Sequence, residues 1–184
     1  MARLAPRLDR RVQRTRHALL SAFNHLVLVR RQRRIRVDDI VAEANVGRST
    51  FYEHYSGADD ILLQAVKAPL GPIANAAAGW GDVNSVTHIL AHFWENRERA
   101  RDMLDGRLDT RMTRLLASMV EERLAGRSFA IPLPLASRQL AEAALAPIRG
   151  WVTAEAPCEP AALARAICRC GAAMVAALGE DPIG

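Results

Sequence analysis

Apolar side chains recur every three or four residues along almost the whole chain, whereas strand-like alternation never persists beyond a few residues. This period puts the apolar residues of each segment on one face of an α-helix. Half of the 184 residues are hydrophobic and 24% are charged, a balance that supports a buried core and differs from that of a disordered chain. The chain is therefore predicted to be an all-α protein of about nine helices.

Turn residues divide this pattern into segments. Helices are predicted over residues 9–29, 38–44, 48–55, 59–67, 83–98, 108–125, 135–155 and 160–178. Pro69, Gly71 and Pro72 are expected to end the fourth helix, because proline lacks the backbone N–H that a helix interior needs. We predict two domains, an N-terminal domain of three helices over 1–57 and a helical C-terminal domain over 58–184.

The basic residues are concentrated in the first third of the chain. Residues 1–57 contain 12 arginines against five acidic residues, whereas residues 58–184 contain 13 basic and 15 acidic residues. This asymmetry predicts a polyanionic partner, and nucleic acid is favoured over an anionic membrane because phosphate neutralisation supplies most non-specific DNA affinity. A solvated, self-repelling tail is the alternative. One arginine cluster follows the first helix directly: Arg30, Arg31, Arg33, Arg34 and Arg36.

Two short helical segments are separated by only three residues. Asn45 tolerates a left-handed backbone and Gly47 is able to begin a new helix, so a sharp turn is predicted between 38–44 and 48–55. Two helices joined in this way, next to a basic first helix, are the elements of a helix-turn-helix, whose second helix enters the major groove of DNA. An ordinary pair of helices with polar residues facing water has the same pattern.

The second of these helices has two chemically different faces. Phe51 and Tyr55, four residues apart, are predicted to pack on Phe23, Ile40 and Val41. The other face carries guanidinium, hydroxyl, phenol and imidazole groups, on Arg48, Ser49, Thr50, Tyr52 and His54. Hydroxyl groups suit phosphate oxygens, and arginine suits a phosphate or the O6/N7 edge of guanine. One face is therefore predicted to hold the helix in place and the other to contact DNA.

Residues 40–55, IVAEANVGRSTFYEHY, resemble the DNA-binding signature of the TetR family of transcriptional repressors. The resemblance extends over about residues 12–66, and the rest of the chain is similar to that family only in being helical. It implies a homodimer with a three-helix DNA-binding head on each subunit. It also implies a C-terminal helical body that binds a small-molecule effector, and a repressor function in which the effector releases the protein from operator DNA.

The same resemblance assigns DNA contacts to Arg48, Ser49, Thr50, Tyr52 and His54. It implies phosphate contacts for Tyr52 and His54, and we expect Arg48 to read a base. Two positions differ from the family pattern, since Arg36 stands where threonine is usual and Ala58 where lysine is usual. The first exchange replaces a helix cap with a cation and the second removes a cation, so Arg36 is predicted to bind a phosphate.

An apolar effector pocket is expected in the C-terminal domain. Its candidate residues are His88, His92, Trp94, Met112, Met119 and Trp151, with ordinary core packing as the alternative for the apolar ones. His88 and His92 are four residues apart without a nearby acidic or cysteine partner in the sequence, so no metal site is predicted. Small and apolar residues that include Gly171 form a stripe along the last helix. The last two helices are expected to form the dimer interface.

Other classes of protein have less support. No glycine-rich phosphate loop, nucleophile elbow or pair of carboxylates in an apolar setting indicates an enzyme, and no cofactor is predicted. No cleaved leader or membrane-spanning segment is predicted, and an odd number of cysteines favours a reducing compartment, so a cytoplasmic location is expected. Two alternatives remain: an architectural DNA-binding protein without an effector, and a protein whose basic first helix lies on a membrane surface.

Overall fold

The computed structural model describes residues 5–30, 35–104 and 108–179. Within these ranges the chain forms nine α-helices, and its only β-type pairing is an isolated bridge between Phe129 and Gly179. The all-α prediction is confirmed. The helices are α1 (Ala5–Leu28), α2 (Val37–Ala44), α3 (Arg48–Tyr52), α4 (Ala58–Ala77), α5 (Val83–Glu95), α6 (Arg97–Leu104), α7 (Asp109–Leu124), α8 (Leu133–Val152) and α9 (Pro160–Leu178).

The chain divides into two compact units, Met1–Val66 and Lys67–Gly184. The division lies within α4 and therefore later than the predicted domain boundary at residue 57. Ile61 is fully buried in the core of the first unit, and Leu62 and Ala65 pack against that core. The first turns of α4 consequently belong to the N-terminal unit.

The sequence predicted that the fourth helix ends before Pro69, and this prediction is wrong. Helix α4 continues through Pro69 and Pro72 to Ala77. Each proline removes one backbone hydrogen bond from the helix, but the apolar face of α4 continues past both, with Leu70, Ile73, Ala74 and Ala77 buried. Burial of this face offsets the missing hydrogen bonds, an effect that local rules for proline do not include.

The first unit is built around one apolar cluster. Its buried members are Leu19, Phe23, Leu26, Ile40, Val41, Phe51, Tyr55 and Ile61. The members from α1 all lie in the C-terminal half of that helix, because the apolar period begins only at Leu19. The preceding turns, from Arg10 to His17, are mostly exposed.

The second unit is a helical bundle in which α7 packs along α8, and α9 packs on α5 and α8. The single helix predicted over 83–98 is in fact two helices, α5 and α6. Asn96 separates them, because its φ of −113° leaves the helical region and its Nδ2 donates to the carbonyl oxygen of His92 at 2.9 Å. Ala100 and Leu104 of α6 are buried, so the extra helix contributes to the core.

Gly171 allows α9 to approach α4 closely. A Cβ at this position would meet the carbonyl oxygen of Ala76. Arg123 of α7 binds the same part of α4, since its Nε donates to Oδ1 of Asn75 at 2.6 Å while its Nη1 donates to the carbonyl oxygen of Met119 at 2.7 Å. The glycine of the predicted small-residue stripe therefore lies at a helix contact.

Among the described helices, α9 alone has the length and apolar composition to cross a membrane, which the sequence analysis did not anticipate. Core helices of globular proteins commonly have the same properties. The buried side chains of α9 include Leu163, Ala164, Ile167 and Val175, so one face of the helix is covered within the unit.

Candidate nucleic-acid interface

A left-handed residue turns the chain from α2 into α3. Asn45 has φ 51° and ψ 50°. Its N–H donates to the carbonyl oxygen of Ala42 at 3.3 Å, and the N–H of Val46 donates to that of Val41 at 3.0 Å. This pair of bonds is a Schellman motif, which satisfies carbonyl groups at a helix end. Gly47 then begins α3 as its N-cap residue, and the predicted sharp turn is confirmed.

The apolar side of α3 packs as the sequence predicted. Phe51 is fully buried and Tyr55 nearly so, and their ring centroids lie 5.7 Å apart. Both rings belong to the same cluster as Phe23, Ile40 and Val41. Helix α3 is only five residues long, so these two aromatic side chains and the turn before them determine its orientation.

The polar side chains of α3 and of the turn after it remain at the surface, and we call these five the reading face: Arg48, Ser49, Thr50, Tyr52 and His54. Arg48, Ser49 and Tyr52 are exposed, whereas Thr50 and His54 are half-buried. The helix ends at Tyr52 and not at the predicted Tyr55. The N–H of His54 bonds to the carbonyl oxygen of Phe51 at 3.0 Å, three residues back, so the chain tightens into a turn.

An ion pair across the turn holds Arg48. Its Nη1 lies 2.6 Å from Oδ1 of Asp38, in the first turn of α2, and the two side chains are 60% and 65% exposed. A hydrogen bond with Tyr52 and the charge of Asp38 raise the pKa of Arg48 above its ordinary value. The contact with Asp38 is not evident from the sequence, because contact between residues ten positions apart depends on the angle between two helices.

Arg36 is the N-cap residue of α2, although its side chain makes no cap hydrogen bond. Its backbone N–H donates to Oδ2 of Asp39 at 2.8 Å, which is one half of a capping box. The carboxylate of Asp39 therefore supplies the cap at the start of α2. The side chain of Arg36 is exposed, and its phosphate contact stays a prediction.

The N-terminal half of α1 contributes further cations to the surface of the same unit. Its exposed basic side chains are Arg10, Arg11, Arg14, Arg16 and His17. Burial raises the pKa of Tyr55, and the positive charge of Arg16 opposes that rise. The other members of the predicted arginine cluster, Arg31, Arg33 and Arg34, lie outside the described residues.

Two of the candidate effector residues meet in the second unit. The rings of Trp94 and Trp151 stack with centroids 4.8 Å apart. The Nε1 group of Trp151 donates to the carbonyl oxygen of Cys158 at 2.8 Å, and the guanidinium of Arg97 lies 5.4 Å from the ring centroid of Trp94. This arrangement uses both indole rings in packing.

The other four candidates are divided between the core and the surface of the second unit. Met112 and Met119 are buried in the core, and His88 and His92 are exposed on α5. A cavity of about 10 Å³ between α4, α8 and α9 is lined by none of the six candidates, and this volume holds about one water molecule. Their binding of an effector stays a prediction. In the described part of the chain, no three His, Cys, Asp or Glu side chains gather as a potential metal site.

No family model matches the chain. An uncharacterised HTH-type transcriptional regulator of Bacillus subtilis strain 168, YxbF, is 39% identical over 61 residues, which are 33% of this chain and 16% of that protein. Among solved structures, the dihydroxyacetone kinase operon activator DhaS has a TM-score of 0.49 and 18% identity, covering 90% of this chain and 98% of its own. A TetR transcriptional regulator from Streptococcus agalactiae 2603V has a TM-score of 0.45 and 24% identity, covering 93% and 98%.

The class of the N-terminal domain follows from the geometry of the first unit itself. Helices α1, α2 and α3 and the first turns of α4 surround one apolar cluster, a Schellman turn separates α2 from α3, and Arg48, Ser49 and Tyr52 are exposed. The 39% identity to a helix-turn-helix regulator agrees with this geometry. The N-terminal unit therefore has the geometry of a helix-turn-helix domain.

Proposed function

We propose that this protein is a sequence-specific, DNA-binding transcriptional regulator that acts as a homodimer on duplex operator DNA. The observation that carries the proposal is the exposed reading face of α3 on a closed apolar core. Arg48, Ser49 and Tyr52 are exposed while Phe51 beside them is fully buried. A short helix of this kind, held from one side only, is suited to the major groove.

Arginines elsewhere in the first unit supply the electrostatic part of DNA binding in this proposal. Arg36 at the start of α2 and the exposed arginines of α1 neutralise phosphates, which fixes the register of the domain on the duplex. Arg48 reads a base edge, and its neighbours bind the adjoining phosphates. Regulation then follows from occupancy of the operator, as in a repressor.

Selection of bound sequences from randomised duplexes, at a stated salt concentration, tests this proposal. We expect Arg48→Ala to reduce preference at one base pair by about ten- to a hundredfold. Arg36→Ala should instead weaken binding to all duplexes alike and reduce the slope of log affinity against log salt by about 0.9. Selection that enriches no sequence would overturn the proposed function, and two variants with unchanged binding would overturn the roles of these residues.

The dimer is proposed to form through α8 and α9. The surface of α9 includes a stripe of small side chains at spacings of four and three residues: Ala166, Cys170, Ala173 and Ala177, all exposed. Small side chains let two helices pack closely. A two-fold dimer also presents two reading faces to neighbouring turns of the major groove, about 34 Å apart.

Oxidative cross-linking tests the dimer, because Cys170 lies in that stripe. The variant that keeps only Cys170, with Cys158→Ala and Cys168→Ala, should form a disulfide-linked dimer under mild oxidation. The matched variant that keeps only Cys158, which is exposed outside the stripe, should cross-link far less. A chain that sedimentation shows to be monomeric at micromolar concentration would contradict the dimer.

We further propose that a small-molecule effector weakens operator binding and that the protein is cytoplasmic and has no catalytic role. The similarity to an HTH-type transcriptional regulator supports a role in transcription. The effector, the location and the lack of catalysis are further parts of the proposal. Helix α9 is proposed to be a bundle helix and not a membrane span, since Arg165 and Arg169 are exposed on it and its other face packs on α5 and α8.

An architectural DNA-binding protein without an effector is the second candidate function. The observation that favours it concerns the described cavity between α4, α8 and α9. Its volume of about 10 Å³ is far below the roughly 300 Å³ that a ligand of drug size needs. Affinities measured for the selected duplex and for unrelated duplexes at one salt concentration separate the two. Equal affinities favour the architectural protein.

A further inference from the structure

We propose that Asp38 is a specificity-determining residue, which positions the guanidinium of Arg48 so that it reads one base pair. The inference deepens the proposed function and rests on it. Asp38 belongs to α2 and makes its contact from outside the reading face. Its role would therefore be to act through Arg48.

The geometry of the pair supports a positioning role. Nη1 of Arg48 lies 2.6 Å from Oδ1 of Asp38, a short, charge-assisted hydrogen bond. Asp38 lies in the first turn of α2, and Arg48 is the first residue of α3. The Schellman turn at Asn45 joins the C-terminal end of α2 to the start of α3 and so determines how the two helices are placed. Both partners are therefore fixed at the backbone, and the ion pair fixes the arginine side chain as well.

The chemistry leaves Arg48 free to bind a base. A guanidinium has five N–H donors in one plane; Asp38 uses a donor of Nη1, and Tyr52 also makes a hydrogen bond with this side chain. The remaining donors are able to reach the O6 and N7 acceptors of guanine. A flexible arginine loses rotamer freedom when it binds, whereas an arginine already held by Asp38 loses less.

Electrostatics argue against a role for Asp38 in affinity. The carboxylate is 65% exposed beside the reading face, where DNA phosphates would approach it and repel it. An acidic residue at this position lowers the affinity for every duplex, so its contribution is to discrimination between duplexes. Asp39, the next residue, has a different role, because its carboxylate accepts from the backbone N–H of Arg36 and caps α2.

The test compares four variants of the full-length chain with the wild type on the selected duplex and on duplexes with single base-pair changes. Asp38→Asn should reduce preference at the base pair that Arg48 reads by about three- to tenfold. It should also raise affinity for unrelated duplexes by about twofold. The matched control is Glu53→Gln, which removes an exposed acid directly after α3 and should leave the preference unchanged.

A double variant shows whether Asp38 acts through Arg48. In the Arg48→Ala background, Asp38→Asn should change base preference no further. A wild-type chain that prefers no duplex overturns the proposed function and this inference with it. If the wild type is selective and Asp38→Asn keeps full selectivity, or raises all affinities alike with a steeper salt slope, the inference alone is overturned. Far-UV circular dichroism confirms that each variant keeps its helices.

Discussion

The two units of this chain use their polar and aromatic residues differently. In the first unit the aromatic rings of Phe51 and Tyr55 are buried, and the polar side chains between them remain on the surface. In the second unit the aromatic pair Trp94 and Trp151 is stacked within the packing. The two faces of one short segment can therefore be predicted from the sequence, whereas a pocket depends on how distant helices pack.

The largest expected effect concerns the core side of α3. Phe51→Ala should destabilise the N-terminal unit by about 3–5 kcal/mol, because a fully buried ring is replaced by a cavity. Amide hydrogen exchange of α2 and α3 measures this effect, since the tryptophans Trp80, Trp94 and Trp151 all lie in the second unit. The control Tyr52→Ala, on the exposed side, should cost below about 1 kcal/mol. Similar losses in both variants would contradict the two-faced helix.

Two glycine substitutions compare a tightly packed with an open position in the second unit. Gly171→Ala should destabilise it by about 1–3 kcal/mol, because the new methyl group meets the backbone of Ala76. Gly71→Ala is the control, because its Cβ would meet nothing within 4 Å beyond its chain neighbours. The helical gain of alanine is opposed there by the following Pro72, so we expect a change of less than about 1 kcal/mol. Urea unfolding followed by tryptophan fluorescence measures both. Effects of equal size would show that α9 and α4 do not approach as described.

Trp151 distinguishes packing from effector binding in the second unit. Trp151→Phe should lower its stability by about 1–3 kcal/mol, because the variant loses part of a buried ring and the hydrogen bond that Nε1 donates to the carbonyl oxygen of Cys158. Trp80→Phe is the control, because Trp80 is half exposed and should change stability by less than about 0.5 kcal/mol. Thermal unfolding of both variants without any ligand measures the difference. An unchanged Trp151→Phe variant would favour a role in ligand binding.

The smallest effect is expected at the start of α5. The side-chain and backbone hydrogen bonds from Ser85 lower the pKa of Asp82 below its ordinary value of 3.8. A lowered pKa means that the carboxylate stabilises the fold above pH 3.8 and loses this contribution as the pH falls through the folded-state pKa. Asp82→Ala should therefore lower the melting temperature at pH 7, and the difference from wild type should shrink below that pKa. Asn84→Ala, at the adjacent exposed position, is the control.

The N-terminal unit was predictable because its information is local. The turn at Asn45 and the packing of Phe51 and Tyr55 follow from residue types at fixed spacings within a single segment. The end of α3 at Tyr52 was less accessible, because it depends on a tightened last turn. The ion pair between Asp38 and Arg48 was not accessible at all, since it depends on the angle between two helices.

The second unit was predictable only in its helical class. Local rules ended the fourth helix before Pro69, although burial of Leu70 and Ile73 carries α4 through both prolines. The break at Asn96 and the stack of the two tryptophans likewise arise from side-chain contacts that the helical period does not encode. Tertiary packing therefore determines where these helices end. It also determines which side chains are used in the core and which remain accessible to a ligand.

The ratio of two affinities tests the central claim most directly. The full-length protein is titrated at 0.15 M salt, about physiological ionic strength, against the duplex enriched by selection and a scrambled duplex of the same length. We expect the enriched duplex to bind at least about a thousandfold more tightly, and its sequence to contain two inverted half-sites. Equal affinity for both duplexes would contradict the conclusion that the exposed face of α3 reads DNA.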